Sequence, residues 1–275
     1  MHQTQHFLKK MTVTLDDNGQ AVYQSGQITF NEHLGQFVTL THTGKIACVA
    51  CGRGIKKTFN QGYCFPCVRS LPECDTCIIK PELCHYAQGT CRDPSWGQAH
   101  CLKPHVVYLA NTGQIKVGIT RQRNIPTRWL DQGATQAIPI FQVDQRLVAG
   151  LVEQALMAHI GDKTNWRTML KGGGGDVNLS DYHDKLVTAV ADDIAALQSR
   201  FGQAAIMPIT QPEQYQLNYP VIDYPVKIKT HNLDKTSQIQ GRLMGVKGQY
   251  LMLDTGVINI RKFAGYECHW KIENL

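Results

Sequence analysis

Apolar and polar residues alternate in short runs over positions 11–46, as in AVYQSG, QITF and QFVTLTH, with Asp, Asn and Gly between the runs. A period of two punctuated by turn residues predicts a small set of antiparallel strands. A long stretch without periodicity follows. The β pattern returns in HVVYLA and IKVGIT, two strands expected between residues 105 and 120 and joined by NTGQ. Pro126 stands where a helix can begin, because proline has no amide hydrogen to lose in a first turn. A third strand is expected over residues 138–143. Leu147, Leu151, Ala155 and Ala158 then recur at helical spacing and predict a helix from about 147 to 160. The order over this stretch is β-β-α-β-α.

KGGGGD, residues 171–176, offers almost no side chains for packing and reads as a flexible joint. Ser180 is placed to cap an amphipathic helix reaching Phe201, with Leu186, Val190, Ile194 and Leu197 on its apolar face. From Tyr215 the pattern becomes β again, in YPVKIKT, SQIQGRLMGV, GQYLMLD and GVINIRKF, and a small β-barrel is the expected arrangement. The fold class is therefore α+β and multi-module. It comprises an N-terminal β segment (1–47), a cysteine-rich module (48–103), the β-β-α-β-α domain (104–171), a linker with its amphipathic helix (172–212) and the barrel (213–275).

Composition sharpens this picture in two ways. The 275 residues are 43% hydrophobic with a formal charge of +6, which describes a globular chain with a mildly basic surface that suits a polyanionic partner. The opening residues hold no apolar stretch of signal-peptide length, and nowhere do about 18 apolar residues run together. A cytoplasmic protein without membrane contact is the expectation. Ten cysteines in such a chain point to metal or redox chemistry rather than disulfides.

Nine of the ten lie between Cys48 and Cys101. Cys48, Cys51, Cys64 and Cys67 form two CxxC pairs, the spacing that converges four thiolates on a structural zinc. A second group begins with another CxxC, Cys74 and Cys77, and continues singly through Cys84, Cys91 and Cys101. Five thiols exceed one tetrahedral site. A second zinc held by Cys74, Cys77 and two of the later three is expected, with an iron–sulfur cluster or partial ligation with free thiols as the other readings. A zinc with four protein ligands has no place for an activated water, so its work would be to fold a segment that lacks a core. Cys268 stands apart and reads as a packed small hydrophobe.

Val106-Val107-Tyr108 and Lys116-Val117-Gly118 resemble the two signature triplets of the GIY-YIG nuclease superfamily, in particular its divergent branch with lysine opening the second triplet. Arg128 on the first helix and Glu153 on the second match the superfamily's arginine and metal-binding glutamate, and Asn165 matches the asparagine that often closes the motif. The resemblance covers residues 105–166. More widely, segments such as CGRGIKKTFNQGYCFPC and TRWLDQGA resemble an uncharacterised bacterial family of unknown function. The superfamily likeness implies a metal-dependent endonuclease acting on DNA or RNA, with Tyr108, Lys116, Arg128, Glu153 and Asn165 as the catalytic set and the zinc module gripping substrate. Gly118, Thr120, Arg121 and Trp129 would line the substrate. Glu153 would hold Mg²⁺ or Mn²⁺, Arg128 would fork to phosphate oxygens, and Tyr108 would orient or deprotonate water if nearby cations lowered its pKa. Lys116, where a second tyrosine is more familiar, would act either as a neutral base or as a charged phosphate ligand. The alternative is a nucleic-acid-binding protein that keeps the fold without the reaction.

Overall fold

The structure, a computed structural model, describes residues 2–160 and 165–273. Its strands are β1 (His2–Phe7), β2 (Thr12–Leu15), β3 (Ala21–Ser25), β4 (Ile28–Thr29), β5 (Phe37–Ile46), β6 (His105–Asn111), β7 (Ile115–Arg121), β8 (Gln136–Val143), β9 (Ile206–Pro208), β10 (Tyr215–Gln216), β11 (Gln238–Lys247), β12 (Tyr250–Leu253), β13 (Gly256–Asn259) and β14 (Tyr266–Glu273). Its helices are α1 (Phe65–Ser70), α2 (Thr76–Ile79), α3 (Pro94–His100), α4 (Thr127–Asp131), α5 (Arg146–Met157), α6 (Trp166–Leu170), α7 (Leu179–Ala189) and α8 (Ala191–Phe201). Among the described residues no helix is long and apolar enough to cross a membrane.

The β-β-α-β-α order is present as β6, β7, α4, β8 and α5. These strands form an antiparallel sheet in the order β10-β8-β6-β7, with β9 also paired to β8. All seven residues of β6 are buried, because both faces of this strand are covered. Val107 and Leu109 pack with α5, α7 and α8, while the alternate residues Val106, Tyr108 and Ala110 pack the other way, into the largest core. The amphipathic stretch after residue 178 thus forms a layer on this sheet. It is capped by Asn178, whose side chain accepts from the Ser180 amide, and it is interrupted at Val190.

Two expectations are corrected here. The C-terminal strands form no closed barrel: they lie in an open six-stranded sheet, β1-β14-β5-β11-β12-β13, in which β14 sits between the early strands β1 and β5, and β11, β12 and β13 follow beyond β5. The register pairs His6 with Cys268 and Leu40 with Trp270, and residues 224–229 of YPVKIKT form no strand. The glycine run is not a loose joint either. A Cβ on Gly174 would come within 2.5 Å of the Asn111 Oδ1 and 2.7 Å of the Gly113 Cα, and the Asn111 Nδ2 donates to the Gly174 carbonyl at 2.6 Å. At Gly174 the β6–β7 turn occupies the side-chain space, Gly172 lies against Tyr224 and Gly173 against Thr168, while Gly175 faces open space.

Candidate functional site

Tyr108 and Gly118 are cross-strand partners on β6 and β7, as are Ala110 and Lys116, so all four point to the same face. A Cβ on Gly118 would lie 2.8 Å from the Tyr108 hydroxyl oxygen and 2.9 Å from the adjoining ring carbon. Glycine is required because the phenol lies directly across that position. Helix α4 crosses this face and carries Arg128, with Gln132 one turn further on. With its amide oriented to satisfy both ends, Gln132 donates to the Tyr108 oxygen at 2.9 Å and accepts from the Lys116 Nζ at 3.2 Å and the Arg128 Nη2 at 3.1 Å. Gln132 thus ties together three side chains from separate elements. The i, i+4 relation to Arg128 is the sequence signal that could have found it.

Glu153 approaches from α5, whose apolar residues Val148, Val152 and Leu156 belong to the opposite layer. It is half-buried, and its charge acts on both the Tyr108 phenol and Arg146. Burial pushes the phenol above its ordinary pKa; Arg128 opposes this shift, and Glu153 adds to it. Tyr108 therefore holds its proton more tightly than an ordinary phenol, which favours hydrogen-bond donation over service as a base.

The remaining site residues separate. Trp129 is wholly buried, edge-on to Tyr108 with ring centroids 5.8 Å apart and 4.9 Å from Tyr215, and presents no face to a ligand. Thr120 is buried opposite Val106. Arg121 ends β7 at the far side of the sheet, near Arg146 and Cys101. Asn165 caps α6, accepting from the Arg167 and Thr168 amides, and is exposed; a capping role accounts for its side chain. The structure brings together Tyr108, Lys116, Gly118 and Arg128, sets Glu153 within electrostatic reach, and gives Trp129, Thr120 and Asn165 structural positions.

The first cysteine set is compact. All four sulfurs of Cys48, Cys51, Cys64 and Cys67 lie within 4.8 Å of one another, with the Cys51 and Cys64 sulfurs 3.8 Å apart. Thiolates about 2.3 Å from a tetrahedral zinc have sulfurs about 3.8 Å apart, so the set fits that ion. The Cys64 amide donates to the Cys48 sulfur at 3.2 Å. Burial raises the Cys48 pKa, but amides of Cys51, Cys64 and Ala50 outweigh it and bring the thiol down to about 6. Beside this set an open groove of ≈ 250 Å³ is lined by Arg53, Lys56, Lys57, Phe59 and Phe65. Phe65 is 53% exposed.

The second set differs from its expected grouping. Cys74 does not join Cys77: its thiol hydrogen-bonds with Asn60 and feels the charge of Cys48, on the side of the first set. The turn Pro72–Cys74 ends between them, so the CxxC spacing is split across two directions. Cys77, Cys84, Cys91 and Cys101 instead line one cavity. Cys268 is buried in the main core, as a packed residue.

A family model described as "Protein of unknown function (DUF2797)" matches residues 35–268. No curated protein and no solved structure matches the chain.

Proposed function

The chain belongs to the DUF2797 family, whose description assigns no activity, and from the side chains themselves we propose a metal-dependent nuclease that hydrolyses phosphodiester bonds in DNA or RNA, on a scaffold resembling that of the GIY-YIG nucleases. The observation that carries this reading is the convergence of Tyr108, Lys116 and Arg128 on Gln132, with the Glu153 charge felt at the phenol. Phosphodiester hydrolysis concentrates negative charge on the phosphoryl oxygens as water attacks in line. Arg128 would meet two of those oxygens with its fork, and Lys116 would add a point charge beside it. Tyr108, holding its proton, would donate to an oxygen of the phosphate or of the water and so orient it. Glu153 would hold a Mg²⁺ or Mn²⁺ ion, which when bound supplies a Lewis acid for the leaving oxygen. The basic and aromatic groove beside Cys64 would track the backbone, with Phe65 available to stack a base.

A second reading has its own observation. Tyr108 is 0% and Lys116 5% exposed, so phenol and amine are closed from solvent beneath α4. This suits a protein that keeps the fold and binds nucleic acid through the groove without cutting. Purified protein incubated with Mg²⁺ or Mn²⁺ and branched DNA, single-stranded DNA or structured RNA separates the two. The nuclease reading expects cleavage that falls at least a hundredfold in Glu153→Gln and Arg128→Ala. Salt-sensitive binding without cleavage, weakened when Lys56 and Lys57 become alanine, would establish the binder instead.

A further inference from the structure

Residues 72–101 are built from short turns and small helices: Pro72–Cys74, α2, Pro81–Leu83, Tyr86–Gln88 and α3. None of the buried apolar clusters draws a residue from this segment. A stretch of this length without strands or a core needs another source of cohesion. Four thiols converge at its centre: Cys77, Cys84, Cys91 and Cys101 line a cavity of ≈ 20 Å³, walled also by Ile78 and Trp96.

Sulfur spacing distinguishes this set from the first. Around a single zinc, thiolates stand about 3.8 Å apart and close the space between them, as the Cys48 set does. Among the described residues no three of Cys77, Cys84, Cys91 and Cys101 gather within 4.8 Å, and none of their sulfurs makes a contact like that of Cys51 with Cys64. They are nevertheless neighbours: Cys77 feels the charges of Cys84 and Cys101, and Cys101 those of Cys84 and Cys91. Four thiolates spread around a shared hollow suit a body that offers each of them its own metal atom. A two-iron cluster places two thiolates on each iron and would draw the sulfurs into close pairs; a four-iron cluster takes one thiolate per iron. The trio Asp75, Cys77 and His85 lies closer together, with the His85 Nε2 3.4 Å from an Asp75 oxygen, but its carboxylate is already committed: Asp75 holds the Arg92 Nε at 2.7 Å and accepts from the Cys77 amide.

Charge points the same way. Arg146 and Arg121 act electrostatically on Cys101, and the Arg146 Nε and Arg121 Nη1 are buried without a hydrogen-bond partner. Unpaired buried guanidinium N–H groups are costly, and a cluster carrying four thiolates is an anion that would offset them. We infer that Cys77, Cys84, Cys91 and Cys101 bind a [4Fe–4S] cluster, one thiolate to each iron, which holds residues 72–101 together and seats them against α5. The Arg146 Nη2 donates to the Ile78 carbonyl at 2.5 Å, so the seat is already built into that helix.

The full chain, produced with ample iron and purified without oxygen, tests this through iron, acid-labile sulfide and zinc analysis with Mössbauer spectroscopy on isotope-enriched iron. About four irons and four sulfides per chain are expected beside about one zinc, with visible absorbance that bleaches on reduction. Cys84→Ser and Cys91→Ser should lose iron and sulfide yet keep zinc, while Cys74→Ser keeps both. A second zinc without sulfide, two irons per chain, or loss of iron in Cys74→Ser would each overturn the assignment. Should the serine variants fail to fold, the Mössbauer signature of the unaltered chain decides alone.

Discussion

Lys247 shows how much a single buried charge can cost when no function is yet attached to it. It is 1% exposed, and among the described residues its ammonium has no ion pair, only the faces of Tyr219 and Tyr224 at 5.1 and 5.3 Å. Cation–π contact returns part of the lost hydration, yet burial still lowers the pKa from 10.5 to about 8. The unfolded chain therefore binds this proton more tightly than the folded one. Between pH 8 and 10.5 the unfolded state carries the extra proton, so stability rises with pH across that window, and below pH 8 the full penalty applies. At 1.36 kcal/mol per unit, the penalty is about 3 kcal/mol at most. Lys247→Met should raise the unfolding free energy at pH 7 by about 2 kcal/mol and flatten its dependence above pH 8. Urea titrations at pH 7 and 9.5 check this; an unchanged midpoint at pH 7 would show that the ammonium is solvated or paired in solution. Residue identity was readable in other cases for a different reason. Gly118 stood out because a glycine inside a strand needs a neighbour to explain it, and the neighbour is the Tyr108 phenol. Gln132 carried only its i, i+4 relation to Arg128, a weak signal, since a glutamine at the end of a short helix looks the same whether it faces solvent or joins three side chains.

At the scale of elements, the order β6, β7, α4, β8, α5 was legible because each piece carries its own period, and the observed bounds of α5, Arg146–Met157, fall close to the expected 147–160. What failed was decided by packing between elements. The glycine run read as a joint since its lack of side chains suits both slack chain and tight approach. The pairing of Cys74 with Cys77 failed because spacing limits which thiols can meet but does not say which way a turn will send them. The junction of α5 with the cysteine segment is a further case: a Cβ on Gly150 would meet the Pro81 Cβ at 2.5 Å and the Glu82 amide at 2.9 Å. An exposed helical glycine changed to alanine gains about 1 kcal/mol from helix propensity. Gly150→Ala should do the opposite, costing about 2 kcal/mol by forcing the helix off the Pro81–Leu83 turn. Thermal unfolding gives the sign, and a stabilised variant would show that the two elements are not pressed together.

For the whole molecule, the largest consequence lies in which strands are neighbours. Read locally, the chain divides into an initial β segment and a terminal barrel, since period-two runs reveal a strand without naming its partner. In the structure β1 is the edge of the six-stranded sheet and β14 lies between it and β5. The same apolar core takes in Leu8 and Met11 from the start of the chain, Tyr108 and Trp129 from the middle, and Cys268 and Trp270 from the end. Loop closure over so long a separation costs entropy slowly with length, so such a pairing is stable once made although no local signal announces it. Removal of residues 1–8 should therefore act far beyond the amino terminus. It would strip the pairing partner from His269 and Trp270, remove the His6 ring stacked on Trp270 at 6.2 Å, and vacate the place of Leu8, which is wholly buried. Loss of Leu8 alone costs about 2–5 kcal/mol, and the newly bared edge of β14 would invite association between chains. The truncated protein should show a clear fall in unfolding midpoint, and self-association by size-exclusion chromatography. A self-contained terminal barrel would leave both measurements unchanged, so the same two experiments discriminate the interleaved sheet from a string of separate modules.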